Sequence, residues 1–276
     1  MTLKVKQVTH PITNKTYAFG WKPPKVKQYR LAFANYATPD LPPPPDEVDY
    51  TKKAKAALDK MYLNDQMGDC VIAGMAHVAG VLMDNAENIG VPFTLSDTRI
   101  VGLYEQIGGY DPNFPRLTDH GCSVQTALNY WQKHGLMPHD KNPHKIYGWL
   151  AVDARDKVAC RHALHLFENL ILGVPLPDKW VSPAPQEAGF TWDVAGDPVL
   201  ENGHCFIAGG YDPKGYTIST WGMLGHLTNE AAAKYAVDPG ECYTVLSEDS
   251  INKAQAKAPN GFDFETLKAH FAALHK

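Results

Sequence analysis

One cysteine of this chain is placed for chemistry. Cys70 stands in "LNDQMGDCVIAGMAHVAGVLM" (63–83), where a polar, glycine-broken approach gives way to a long apolar stretch. The run over 71–83 predicts a helix that is buried nearly all round. If Asp69 caps that helix, Cys70 is its first residue, where unpaired backbone N–H groups and the positive end of the dipole favour an anion. A helix N-terminus and a nearby imidazolium can together lower a cysteine pKa from about 8.5 to about 3.5–7.5, giving a nucleophile at neutral pH. The alternative is an inert thiol packed in a core segment.

A nucleophilic thiol needs a base. His77 shares a helical face with Cys70, but seven residues at about 1.5 Å rise put it about 10 Å away, beyond hydrogen-bond reach. His204 follows Gly203 at the start of the strand-like run "HCFIAGGY" (204–211), and a cysteine on a helix start facing a histidine on a strand start makes a Cys–His pair. "YTISTW" (216–221) returns across the turn "DPKG" (212–215). With Tyr211 opposite Tyr216, Phe206 pairs with Trp221 and Ala208 with Ser219, so His204, Ser219 and Trp221 share a face. A one-residue slip would exchange Ser219 for Thr220.

The other constellations carry less. "CRHALH" brings Cys160, His162 and His165 together, but no second ligand pair is spaced to complete a tetrahedral metal site. "DHGC" (119–122) and His139 with His144 read as loop residues. No GxxxxGK[ST] or GxGxxG is present, so the sequence calls for no nucleotide, cofactor or metal. The 13 tyrosines and 6 tryptophans read as core and groove lining rather than a base-stacking platform, which argues against nucleic acid as a partner.

These residues must be positioned by a chain of 276 residues, 44% hydrophobic and 20% charged, long enough for one large domain or two small ones. No run reaches the roughly 18 uninterrupted apolar residues of a membrane helix, and MTLKVKQVTH lacks the apolar block of a secretory signal. Five widely spread cysteines (Cys70, Cys122, Cys160, Cys205, Cys242) without a CxxC pair suit reduced thiols in a cytosol-like setting. The formal charge is −4, yet residues 1–39 hold Lys4, Lys6, Lys15, Lys22, Lys25, Lys27 and Arg30 and no acid. Such a basic arm could dock on its own acidic body or on a protein partner.

Proline punctuation at Pro23-Pro24 and Pro42–Pro45 sets the arm, 1–45, apart from a body over 46–250. Helical spacing recurs from Ser123 (Val124, Ala127, Leu128, Trp131, then Gly135 as a stop) and over 153–169 (Val158, Ala159, His162, Leu166, Leu170). A C-terminal amphipathic helix within 251–276 presents Phe264, Leu267, Phe271 and Leu274, with Asp263 as cap. Strand signals come later, at 171–176, 204–211, 216–221 and 242–246. A helical first half and an antiparallel second half predict an α+β fold with segregated layers.

The run "NDQMGDCVIAGMAH", then "GCSVQTALNYWQKHGLMP", then "GHCFIAGGYD" and "YTISTWG" resembles the ordered landmarks of papain-like cysteine peptidases. "LPPPPDEVDYTKKA" (41–54) is similar to the entry of their mature domain, so the likeness spans residues 41–246. The resemblance implies a helical subdomain with a central nucleophile helix, a β subdomain carrying the histidine, and a cleft between them. It implies Cys70 as nucleophile, His204 as base, Ser219 at the position of the family's asparagine and Trp221 as the shield of that third member. The oxyanion-hole carboxamide falls at Asn64, with Gln66 as the alternative donor. The position of the family's disulfide partner to the "GC" segment is Met67, and "MLGHLTNEAAAKYA" (223–236) replaces a second Gly-Trp landmark, with a helix start near Thr228. The arm is too short and too unlike the family's inhibitory propeptides to be one. The expected function is thiol-dependent hydrolysis of a peptide or amide bond, in the cytoplasm or, for a phage-encoded protein, in the virion. The "NDxxGDC" opening resembles phage and bacterial members, where a catalytically idle scaffold with a structural or binding role is the alternative. A third reading keeps the Cys–His pair for other acyl transfer or amidase chemistry.

Overall fold

The computed structural model describes residues 5–25, 31–86, 91–137, 140–185 and 187–274. Lys4, Lys27, Arg30 and His139 lie outside them. Among the described residues there are ten strands: β1 Lys6–Thr9, β2 Thr16–Phe19, β3 Val48–Asp49, β4 Gly148–Ala151, β5 Leu170–Pro175, β6 Phe190–Trp192, β7 Gly203–Asp212, β8 Gly215–Thr220, β9 Met223–Thr228 and β10 Glu241–Leu246. The helices are α1 Lys55–Leu58, α2 Cys70–Asn85, α3 Asp97–Gly108, α4 Pro115–Thr118, α5 Val124–His134, α6 Lys157–Phe167, α7 Asp178–Val181, α8 Asn229–Tyr235, α9 Glu248–Lys257 and α10 Phe264–Leu274.

One sheet organises the body in the order β4-β10-β5-β7-β8-β9-β6, with β3 added beside β7. Its neighbours are antiparallel except β6 and β9. Alternate residues of the central strands feed two cores, as the period-2 pleat requires. Ile171, Ile207, Tyr243 and Val245 face α2, α3 and α5, whereas Leu170, Leu172, Phe206 and Leu246 face α6, α9 and α10. This is the expected α+β arrangement. α2 is apolar all round because it lies between the sheet and the other helices, and 14 of its 16 residues are buried.

Local chemistry sets the ends of these elements. Ser123 caps α5 by accepting from the Thr126 N–H, and Gly135 ends it at φ 86. Asp156 caps α6, and Thr228 caps α8. α6 buries a wider face than its spacing predicts: His162 and Leu166 are buried as expected, together with Cys160, Ala163, Leu164 and Phe167, whereas Val158 is exposed and Leu170 already belongs to β5. α10 buries Phe264, Leu267 and Phe271 as expected and leaves Leu274 exposed.

The flanking segments are part of the cores and not appendages. Four rings from the arm are buried: Phe33 and Tyr36 pack against Phe167, Phe262 and His270, and Tyr17 and Phe19 against Trp221. The proline connector is tied down by its carbonyls, which accept from His162 Nε2 at Pro42 (3.0 Å) and from the Tyr211 hydroxyl at Pro45 (2.9 Å). Among the described residues no helix is long and apolar enough to cross a membrane.

Candidate active site

Cys70 is the first residue of α2, as the sequence predicts, although its local environment differs from expectation. Asp69 sits at φ −98, ψ 20 rather than in the extended region of a capping residue, and its side chain makes no cap hydrogen bond. Its carboxyl is fully buried beside Asn64, and burial holds its pKa well above the usual carboxylate range. The sulfur of Cys70 lies against the backbone of Gly20, Cys205 and Trp21. Their hydrogen bonds favour the thiolate, but burial outweighs them and pushes the thiol up to about 12. The lowered pKa expected at a helix mouth is therefore not found in this state.

His204, the residue before Cys205, lies at the start of β7. Both are buried. The imidazole Nε2 is 2.6 Å from Thr220 Oγ1, and Nδ1 has no hydrogen-bond partner among the described residues. Trp221 stacks on the ring at 4.2 Å between centroids, and Phe19 meets it edge-on at 5.7 Å. Burial pulls the imidazole pKa down to about 3. His77, as the helix geometry requires, is no partner for Cys70. Its Nε2 lies 3.0 Å from the Lys60 carbonyl oxygen, its ring rests on Tyr62, and burial lowers its pKa to about 4.

The hydroxyl beside His204 belongs to Thr220, which corrects the expected role of Ser219. Tyr211 does pair with Tyr216, but a β-bulge lies between Ala208 and Gly210, so that Ala208 faces Ile218 and Ile207 faces Ser219. One extra residue on β7 sends every later β8 side chain to the opposite face. Ser219 consequently points to α1, where its hydroxyl donates to the Leu58 carbonyl at 3.3 Å, and Thr220 takes its place. Trp221 and Gly222 then form the two-residue turn into β9, both in the left-handed region, at φ 50 and 69. A bulky residue at that φ is strained. Stacking on His204 and contacts with Tyr17 and Trp192 hold it there.

The cleft over these residues is filled by the chain's own arm. Residues 17–21, "YAFGW", are all buried. Ala18 pairs with Asn64: its N–H donates to the Asn64 carbonyl at 2.9 Å, and its own carbonyl accepts from Asn64 Nδ2 at 3.2 Å. Further along, Cys122 N–H donates to Gly20 O at 3.0 Å, Trp21 N–H to Gly203 O at 3.0 Å, and Lys22 N–H to Cys122 O at 3.1 Å. The side chains divide between the two cores: Tyr17 and Phe19 pack beside Trp221, and Trp21 belongs to the core on the side of α2, α3 and α5, with its ring against Gly173. Each buried ring contributes about 1.5–3 kcal/mol. This seating needs one glycine in the segment and one in the wall. A Cβ on Gly20 would lie 1.7 Å from Gly68 O, and one on Gly121 1.7 Å from Gly20 O.

Of the two candidate oxyanion donors, Asn64 is in the cleft with its carboxamide on a peptide carbonyl. Gln66 is exposed and meets the arm only through its backbone carbonyl, which accepts from Gln7 at 2.9 Å. All five cysteines are free and buried. Among the described residues no cluster of His, Cys, Asp or Glu could hold a metal ion, and the "CRHALH" histidine His162 is engaged by Pro42. Sequence reasoning missed the cleft-filling segment. Its signal was the alternation of Tyr17, Phe19 and Trp21 within an otherwise basic, proline-broken arm.

No protein-family model matches the chain, and no curated protein matches it. Solved structures do. Xylellain, a cysteine protease from Xylella fastidiosa, matches with a TM-score of 0.60 at 16% identity, covering 83% of this chain and 96% of that one. Digestive procathepsin L 3 of Tenebrio molitor larval midgut matches with a TM-score of 0.54 at 12% identity, covering 79% and 76%. The Amb a 11 cysteine protease, a ragweed pollen allergen in its proform, matches with a TM-score of 0.51 at 19% identity, covering 83% and 72%. At these identities the likeness is one of fold.

Proposed function

We propose that the chain is a papain-like cysteine peptidase held in a latent state, with Cys70 as nucleophile, His204 as base and residues 16–22 seated in the cleft as a plug. One observation carries this reading. The groove grips an extended peptide by main-chain hydrogen bonds to Asn64, Cys122 and Gly203, directly across the Cys70 sulfur. A groove that binds backbone rather than one side chain suits a peptide substrate in place of the plug.

With the plug withdrawn, the Cys70 proton passes to His204 Nδ1, the nitrogen without a partner, while Nε2–H donates to Thr220. The thiolate attacks the scissile carbonyl, and the Cys70 backbone N–H with Asn64 Nδ2 receives the oxyanion. The imidazolium then protonates the leaving amine, and water attacks the thioester with His204 again as base. The test is hydrolysis of a fluorogenic peptide or casein after limited proteolysis of the arm, with Cys70→Ser as control. We expect activity on release that the substitution abolishes. Release that exposes Cys70 to alkylation without any hydrolysis would overturn the peptidase reading. The second reading, an idle papain-like scaffold used for binding or assembly, would then stand. Its support is a threonine hydroxyl where an amide or carboxylate would hold the imidazole more firmly.

A further inference from the structure

Two thiols meet where α2 begins. The Cys70 sulfur lies against the backbone of Cys205, the residue that follows His204 on β7. The Cys205 sulfur lies in turn against α2, where a Cβ on Gly74 would stand 3.0 Å from it. Gly74 is one turn along from Cys70, and residues four apart share a helix face, with Cβ atoms about 5–6 Å apart. Each sulfur therefore rests on the other residue's element, the mutual approach that a disulfide requires. Both residues are buried. Cys122, the third thiol of this region, is seated differently. Its N–H donates to Gly20 O and its carbonyl accepts from Lys22 N–H, so it loses both backbone partners when the plug leaves. Cys205 does not depend on the plug in this way, because β5 holds it in register opposite Gly173.

We propose that Cys205 is a resolving cysteine for Cys70: once the plug has left, hydrogen peroxide oxidises the Cys70 sulfur and Cys205 captures it as a reversible disulfide. This rests on the reading above, in which withdrawal of residues 16–22 exposes Cys70. In the first step the Cys70 thiolate attacks one oxygen of the peroxide. The S–O bond forms, the O–O bond breaks, hydroxide departs, and the sulfur, oxidised by two electrons, becomes a sulfenic acid. In the second step the Cys205 sulfur attacks the Cys70 sulfur. The S–S bond forms, the S–O bond breaks, and the departing hydroxide leaves as water with the Cys205 proton. A dithiol reductant returns both thiols and is itself oxidised to a disulfide. Burial sets the order of events: it holds the Cys205 thiol well above its ordinary pKa, and peroxide takes thiolates, so Cys205 stays reduced until Cys70 has reacted. Without a neighbouring thiol, Cys70 would continue to the sulfinic acid, which thiols do not reverse. The plug thus shields the sulfur before release, and the bridge shields it afterwards.

The test treats full-length parent and Gly20→Ala protein with hydrogen peroxide at pH 7, blocks remaining thiols with iodoacetamide and maps the peptides by mass spectrometry. A bridge between the Cys70 and Cys205 peptides should form at least tenfold faster in Gly20→Ala than in the parent, and dithiothreitol should reverse it. Adding Cys205→Ala should divert Cys70 to the sulfinic acid, which dithiothreitol leaves in place. If Gly20→Ala does not fold, the parent and its Cys205→Ala variant, each opened by limited proteolysis of the arm, are compared by the same criteria. Sulfinic acid at Cys70 beside a reduced Cys205, a Cys70–Cys122 bridge as the main product, or a Cys70 left reduced in the opened protein each overturns the proposal. The readout is mass and not turnover. A protein that forms the bridge but hydrolyses no peptide therefore fails the peptidase reading alone, and one that cleaves peptides yet overoxidises fails only this inference.

Discussion

Gly20→Ala should unseat the plug. A Cβ at that position would stand 1.7 Å from Gly68 O and 2.4 Å from Gly68 C, both backbone atoms of the segment that leads into α2. Restoring an ordinary contact requires the plug to lift by more than about 1 Å, which carries the bonds of Cys122 N–H to Gly20 O, Trp21 N–H to Gly203 O and Lys22 N–H to Cys122 O beyond normal range. Each is worth about 1 kcal/mol, and the packing of the rings loosens with them. The readout is the Cys70 thiol. Pushed up to about 12 by burial, it is ionised in about one molecule in 10⁵ at pH 7. A solvated thiol of pKa about 8.5 is ionised in about 3%. Alkylation by iodoacetamide at pH 7, quantified by peptide mapping, should therefore accelerate at Cys70 by roughly a thousandfold, while buried Cys160 and Cys242 stay protected. Unchanged labelling of Cys70 in a folded variant would refute the reasoning. Labelling of Cys160 and Cys242 that rises in step with Cys70 would refute it too, since the segment would then be core and not a separable plug.

Two further outcomes follow from the buried groups. His204 and His77, at about 3 and about 4, are neutral in the native state but protonate near pH 6.5 in the unfolded chain. Below that pH the unfolded state binds the extra protons, so each histidine lowers stability as pH falls from about 6.5 toward its native pKa, by about 2–3 kcal/mol at pH 4.5. Urea midpoints of His77→Gln against the parent at pH 7 and 4.5 should show the variant losing less on acidification, and parallel losses would contradict this. Thr220→Val should slow Cys70 alkylation at least tenfold in the unplugged protein and shift its pH profile, because His204 Nε2 loses its partner. Ser219→Ala should not, and the reverse result would restore the register read from the sequence.

Much of the frame was legible. The all-apolar stretch after Cys70, the Ser123 cap with its Gly135 stop and the four strand-like runs carry local signals that the tertiary structure keeps. The failures share a cause, which is that the deciding contact is non-local. The bulge beside Gly209 leaves no mark that two ordinary glycines would not leave, yet it exchanges Ser219 for Thr220. β9 was missed because its turn is Trp221-Gly222, where a tryptophan adopts φ 50 only because His204 and Tyr17 are there to stack on it. The arm read as a basic tether because its charges outnumber its rings, and nothing in residues 16–22 reveals that Gly121 and Gly203 leave a channel of their width.

That channel decides the ionisation of the candidate pair. With the plug seated, a thiol near 12 and an imidazole near 3 mean that moving the proton from sulfur to nitrogen is uphill by on the order of 10 kcal/mol before their mutual attraction is counted. Once water returns, the gap shrinks toward that between about 8.5 and about 6.5, small enough for the start of α2 and the opposite charge to close. The helix mouth alone, which drew attention to Cys70 in the sequence, is then insufficient to make a thiolate. Solvent access is the controlling variable, and five consecutive residues, Tyr17 to Trp21, control it. On the proposed peptidase reading, any ligand that enters the groove must replace their hydrogen bonds and ring burial before it meets the sulfur, which would make peptide binding and thiol activation one equilibrium.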